Sequence, residues 1–175
     1  MKGGNIPIEF HKQTVYDILS YLESAPISLE EVFNVEPIPK LLNEYEIKRA
    51  FATAEDRVRK WVSKRGGNIS KIRLQNLSYG FLKKAMLEVL YMKILSHYGI
   101  RGPETLNYTS LGYKVAKASR KLTGRGLVDE VNELMKYHKE RKKVDEKILK
   151  VIVLATLKLL QFIERNYSDI IFKVE

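Results

Sequence analysis

The sequence predicts an all-α fold, a compact bundle of five to six helices with the C-terminal helix central. Three observations carry this. Apolar residues recur at three- and four-residue spacing in segment after segment, with no alternating run long enough for a strand. Glycine and proline mostly fall between those segments rather than inside them, the exceptions being Gly80 and Gly112. The chain has 175 residues and is 45% hydrophobic, enough for one domain with a substantial core.

Residues 9–24 place Val15, Ile18, Leu19 and Leu22 on one helical face and stop before Pro26. Ser28, three residues before Glu31, resembles a capping box and predicts a short helical turn over 29–33, broken by Pro37 and Pro39. This double-proline connector is the expected boundary between an acidic N-terminal helical arm, 1–39, and a basic helical-bundle body, 40–175. From 40 to 64 the stripe Ile47, Ala50, Phe51, Ala54, Val58, Trp61, Val62 predicts a long helix. Gly66-Gly67 ends it, and Asn68 or Ser70 is placed to cap the next.

Residues 71–98 continue the pattern through Leu74, Phe81, Leu82, Met86, Leu90 and Ile94, with Gly99 as the stop. Gly80 inside that run costs about 1 kcal/mol relative to Ala, so a kink or a close helix crossing is expected there. Residues 99–107, with Pro103, read as a loop. A helix over 110–122 faces Leu111, Val115, Ala118 and Leu122 inward. A tight turn at Gly124-Arg125-Gly126 leads into 127–141, whose apolar face of Val131, Leu134, Met135 and His138 is weaker. The last helix, from 144 to about 171, is the most apolar, with Asp145 and Glu146 at its positive end.

Charge is distributed unevenly along this scaffold. The net charge is +10. Residues 1–56 hold five bases and ten acids (−5), 57–128 hold sixteen and two (+14), and 129–175 hold ten and nine (+1). Such an excess points to a polyanion, either nucleic acid or an anionic membrane surface. It is densest over 57–73, which has seven bases, no acid and the only Trp. At 100° per residue, Arg57, Lys60 and Lys64 share one flank of the apolar stripe, whereas Arg65, Lys71 and Arg73 surround the glycine turn. A second line, Lys114, Lys117 and Lys121, flanks the 110–122 helix, and no acid lies between Thr105 and Val128. If both helices pack on one neighbour, the two lines merge into a single basic track.

Catalytic groups are sparse. The absence of Cys removes disulfides, thiol nucleophiles and zinc-thiolate sites, and fits a reducing cytoplasm or a hot one. His11, His97 and His138 are far apart and none has metal-ligand spacing, so no metal or cofactor is expected. No phosphate-cradling glycine motif follows a strand, and the acidic pairs sit at helix starts, where a dipole role fits better than acid–base work. The N-terminus lacks an apolar signal region, and 151–163 is too short to span a bilayer, so a cytoplasmic, non-membrane protein is expected. The chain is expected to bind rather than catalyse. Among the aromatics, Trp61 lies on the apolar stripe and reads mainly as core, with Tyr79, Tyr108 and Tyr113 kept as candidate base contacts.

The segment K-I-R-L-Q-N-L-S-Y-G-F-L-K-K-A-M-L-E-V-L at 71–90 and the ending K-V-I-V-L-A-T-L-K-L-L-Q-F-I-E-R-N-Y at 150–167 follow a basic helix end. Over roughly 49–167 this pattern resembles the small helical subunit of type III CRISPR RNA-guided complexes, the Cmr and Csm small-subunit family. The second segment matches that family's ending at Lys150, Ala155, Thr156, Leu159, Leu160, Arg165 and Tyr167. The resemblance implies a non-catalytic subunit of a multi-protein complex, several copies of which stack beside the guide RNA and its target and contact the nucleic-acid backbone. It carries Arg57, Lys60, Lys64, Arg65, Lys71 and Arg73 into that role; Lys114, Lys117 and Lys121 join on charge pattern alone. Two other readings stand beside it. One is a helical accessory subunit of a DNA-replication enzyme, and the other is a protein-interaction module for an acidic partner.

Overall fold

The computed structural model describes residues 42–121 and 125–174. The expected N-terminal helix, the turn after Ser28 and the 39/40 boundary lie outside the described residues. Within them every regular element is helical: α1 (Glu44–Ser63), α2 (Lys71–His97), a 3₁₀ turn (Gly102–Glu104), α3 (Thr105–Lys121), α4 (Arg125–Lys142) and α5 (Glu146–Tyr167). No helix among these residues is long and apolar enough to cross a membrane.

Side chains set the helix starts. Asn43 and Glu46 form a capping box on α1, each side chain accepting from the other's backbone N–H at 2.8 and 2.9 Å. Ser70 caps α2 by accepting from the Arg73 N–H, and Asp145 caps α5 by accepting from Lys147 and Ile148. Gly66 and Gly67 end α1 at φ of 82° and 77°, a left-handed pair that lets the Gly67 N–H reach the Val62 carbonyl at 3.0 Å. The chain thereby doubles back, and α2 packs along α1. Some expected boundaries move: α4 starts at Arg125, within the expected 124–126 turn, and α3 starts at Thr105 rather than 110, because Pro103 opens a 3₁₀ turn that feeds directly into the helix.

α5 is central, as expected. It packs against α2, α3 and α4 and buries residues around most of its circumference, among them Ile148, Leu149, Val151, Ile152, Leu154, Leu157, Leu159 and Ile163. α2 is similarly apolar around its axis and stays continuous through Gly80, where a Cβ would meet only the Arg120 guanidinium at 3.9 Å, so no close helix crossing is seen there. The close approach is at Gly112 on α3 instead. A Cβ there would run into the Tyr91 hydroxyl and ring. Tyr91 is fully buried between α2, α3 and α5, its hydroxyl 2.8 Å from Thr156 Oγ1. Thr156 spends its own hydrogen on the Ile152 carbonyl at 2.7 Å, so Tyr91 donates and Thr156 accepts.

α5 ends at Tyr167, four residues short of the expected end. Asn166, Ser168 and Asp169 are weak helix formers, and the remaining chain gains more by turning back onto α2. There Phe172 is buried and its N–H donates to Ser78 Oγ at 3.0 Å, while that hydroxyl donates to the Leu74 carbonyl at 2.8 Å. Ser78→Ala leaves a buried amide without an acceptor and is expected to cost about 1–3 kcal/mol. Hydrogen exchange at the Phe172 amide should accelerate well beyond the global change; equal acceleration throughout would mean that Ser78 is not the latch.

Candidate nucleic-acid interface

The ridge expected on α1 is partly neutralised by acids the linear pattern did not place beside it. The Arg57 guanidinium grips Glu88 of α2 with two hydrogen bonds of 3.1 and 3.0 Å, and this pairing raises its pKa further. With the two side chains 36% and 31% exposed, the pair stabilises by no more than about 1 kcal/mol. Lys60 pairs with Asp56 at 3.0 Å and Arg59 with Glu55 at 2.8 Å, both one turn back along α1. Of the line Arg57, Lys60 and Lys64, only Lys64 hydrogen-bonds no carboxylate among the described residues. Acids are therefore interspersed here, contrary to the sequence-based expectation.

The glycine corner is different. Trp61 is half-buried, its ring packed on the core from one side, but it is not simply a core residue. The Arg65 guanidinium carbon lies 3.7 Å from its ring centroid and that of Arg73 lies 5.2 Å away. Arg65 also donates to the Trp61 carbonyl at 3.3 Å. Lys64 and Lys71 stand exposed beside this stack.

The first turn of α2 lies in the same corner and carries no acid, like those of α3 and α4 and unlike those of α1 and α5. Lys71 and Arg73 occupy it instead, positive side chains at the positive end of a helix, where each costs about 0.3–1 kcal/mol. Ser70 has the cap but Arg73 stands where a capping-box Glu would close it. Local stability is thus spent on holding four cations and an aromatic ring together.

No family model, no curated protein and no solved structure matches this chain.

The second expected line is divided between two surfaces. Lys114 turns toward α4, its Nζ 5.4 Å from the Tyr137 ring, which Arg141 approaches at the same distance. Lys117 lines a groove of about 290 Å³ between α2 and α3, together with Gly80, Lys83, Lys84 and Arg120. Lys121 belongs to α3, but its side chain lies outside the described residues. The neighbours of Lys117 are therefore cations of α2 and not the α1 ridge. Sequence reasoning missed Lys83, Lys84 and Arg120. A signal was present, since Arg73, Gly80 and Lys84 are spaced i, i+7, i+11 and share one flank of α2. At 1.5 Å per residue that flank spans about 16 Å from Arg73 at the Trp61 corner to Lys84 at the groove, with a positive charge at each end.

Of the three tyrosines kept as base contacts, Tyr108 is buried, its hydroxyl accepting from the Asp145 N–H at 3.1 Å, so it is structural. Tyr79 and Tyr113 are half-buried. Tyr79 lies beneath the Lys83 ammonium, 4.5 Å from its ring centroid, and Tyr113 stacks edge-on against Tyr91 at 5.4 Å.

Lys83 is 9% exposed, and burial, with Arg120 adding to it and Glu164 opposing, lowers its pKa from 10.5 to about 8. In the unfolded chain Lys83 returns to 10.5, so between pH 8 and 10.5 the unfolded state binds more protons than the folded one. Folded-state stability contributed by this residue is lowest below pH 8 and rises through that window. Lys83→Met is expected to remove the rise, which urea midpoints measured at several pH values would show; an unchanged pH profile would contradict it.

Proposed function

We propose that this chain is a non-catalytic RNA-binding subunit that holds the sugar–phosphate backbone at the Trp61 corner and along the adjoining flank of α2. The observation that supports this most is the first turn of α2. The first turns of α1 and α5 hold acid and those of α2, α3 and α4 do not, but α2 also places Lys71 and Arg73 there, beside Lys64, Arg65 and Trp61. A cluster that opposes the helix dipole is compensated when an anion sits on it. Phosphates supply that charge, and the Arg-flanked indole supplies a surface on which a base can stack. At about 3.4 Å per nucleotide along a strand, the 16 Å from Arg73 to Lys84 corresponds to about five nucleotides. Contacts of this kind position a strand without reading its sequence.

The resemblance to the small helical subunit of type III CRISPR complexes supplies the finer reading. In it, copies of the chain stack along a guide–target duplex within a larger ribonucleoprotein and grip its backbone. A second reading, docking of an acidic protein partner, has one observation in its favour. Beyond Glu88 the interhelical groove becomes apolar, about 410 Å³ lined by Tyr91, Met92, Leu95, Ile100 and Tyr113.

Trp61 makes the test direct, since the only Trp of the chain lies inside the site. Oligouridylate titrated into the protein at low salt should change Trp61 emission saturably, whereas polyglutamate of equal charge should bind more weakly and leave the indole unstacked. Equal responses to the two polyanions, or binding of polyglutamate alone, would move the assignment to the acidic-partner reading.

A further inference from the structure

The groove between α2 and α3 holds charge that the corner does not account for. Four cations face it: Lys83 and Lys84 from α2, Lys117 and Arg120 from α3. None of them hydrogen-bonds a carboxylate among the described residues. Among the described residues its one acidic neighbour is Glu164 of α5, whose charge acts on Lys83 and Tyr79. Arg120 reaches across the groove over Gly80, its Nη2 3.9 Å from the point a Cβ would occupy there. Lys83 is nine-tenths buried as a residue, and its ammonium lies over the face of the Tyr79 ring, 4.5 Å from the centroid, with solvent still reaching it from the groove. Its partial loss of hydration, with no carboxylate hydrogen-bonded to it among the described residues, disfavours the charged form, and an anion in the groove would offset that.

We propose that this groove is a binding site for a phosphate monoester, the terminal phosphate of a nucleic-acid strand or a free phosphate, held by Lys83, Lys84, Lys117 and Arg120. The charge balance selects the monoester. Four cations against one carboxylate leave a surplus that a diester, with its single charge, meets poorly, whereas a monoester brings about −1.5 to −2 at neutral pH. Arg120 offers a fork for two oxygens and the lysines act as point charges around it. The proposal goes beyond the backbone-binding reading and does not depend on it.

Binding should also respond to pH. An anion beside Lys83 favours its charged form, so phosphate uptake draws a proton onto an amine that is only partly protonated near pH 8. The groups facing Lys83 do not cancel this between pH 7 and 9. Those groups are Arg120, Glu164 and Tyr79: burial raises the Tyr79 hydroxyl above its usual pKa and holds it protonated, and a phosphate monoester, with a second pKa near 6, keeps its charge. Affinity is therefore expected to fall as pH rises from 7 to 9, and the fall should disappear in Lys83→Met, which keeps the aliphatic volume and loses the amine.

The test is a titration of the full chain with methyl phosphate, a monoester whose charge is nearly constant between pH 7 and 9, followed by NMR at the side chains of Lys83, Lys84, Lys117 and Arg120. It is paired with affinities for one short RNA carrying either a 5′-phosphate or a 5′-hydroxyl. Saturable shifts at the groove, weaker at pH 9 than at pH 7, and a loss of roughly 10- to 100-fold in Arg120→Gln support the site. Tighter binding of the 5′-phosphorylated RNA identifies a strand end as the source, and equal binding of the two RNAs with groove shifts intact identifies free phosphate. Phosphate shifts confined to the Trp61 corner, or no shifts, overturn the proposal even if RNA binds. Groove shifts without any RNA binding would support the site while removing the backbone reading.

Discussion

Gly112→Ala is expected to destabilise the protein by about 3 kcal/mol, at the upper end of overpacking effects, and to lower the melting temperature by roughly 6–12 °C. The added methyl group has no space, because the Tyr91 hydroxyl and ring already lie against the α3 backbone. Tyr91 cannot yield outward: it is fully buried and its hydroxyl is tied to Thr156 at the centre of α5. Either α3 moves away from α2 and α5 or that hydrogen bond breaks, and both loosen the packing that seats α3 on the core. The effect separates from simple loss of the hydroxyl. Tyr91→Phe alone should cost only about 1 kcal/mol, since Thr156 retains its bond to the Ile152 carbonyl. Thermal melts of the two variants decide between them. A Gly112→Ala protein as stable as wild type would place α3 further from α2 than described here.

The second large effect runs in opposite directions for stability and binding. The double variant Lys71→Glu, Arg73→Glu puts acids in the first turn of α2 and completes a capping box between Ser70 and position 73. Against the lost cation–π contact to Trp61, the dipole and cap terms leave a net gain of about 0.5–1.5 kcal/mol. RNA affinity should fall by on the order of 100-fold, and the slope of log K against log salt should flatten by about 1.4, two phosphates' worth for a single strand. Denaturant midpoints and RNA titrations of the same preparation check both halves. A variant that loses stability together with binding would show that Lys71 and Arg73 serve the fold, and a more stable variant that still binds RNA fully would remove them from the interface.

Much of the architecture was legible because helix periodicity and helix punctuation agree. The α1 stripe from Ile47 to Val62, the Gly66-Gly67 stop, the Ser70 cap and the buried run along α5 are local features, each readable within one or two turns. What local reading missed depends on where a second helix lies. Gly112 is one small residue on a polar-flanked helix until Tyr91 is placed against it. Gly80 carried the stronger signal and makes no close crossing. The α5 stripe runs on through Ile170 and Ile171, yet the chain leaves the helix because Ser78, 94 residues from Phe172, offers its amide an acceptor.

The site was legible in the same proportion. Lys64, Arg65, Lys71 and Arg73 form one corner because a glycine turn joins them within ten residues, so linear charge density was an adequate guide. It failed at Arg57, whose partner Glu88 is 31 residues away, and at Lys60, whose Asp56 lies just outside the acid-free stretch. It also failed at Lys83, because a lysine on a helix flank reads as solvated until α3 closes over it.

The most direct measurement of the central claim is the salt dependence of single-stranded RNA binding by the unmodified chain, followed by Trp61 emission. With roughly four to six phosphates neutralised by the corner and the α2 flank, log K should fall against log salt with a slope of about −3 to −4 between about 50 and 200 mM. A flat dependence, or no binding at the low-salt end, would contradict the account.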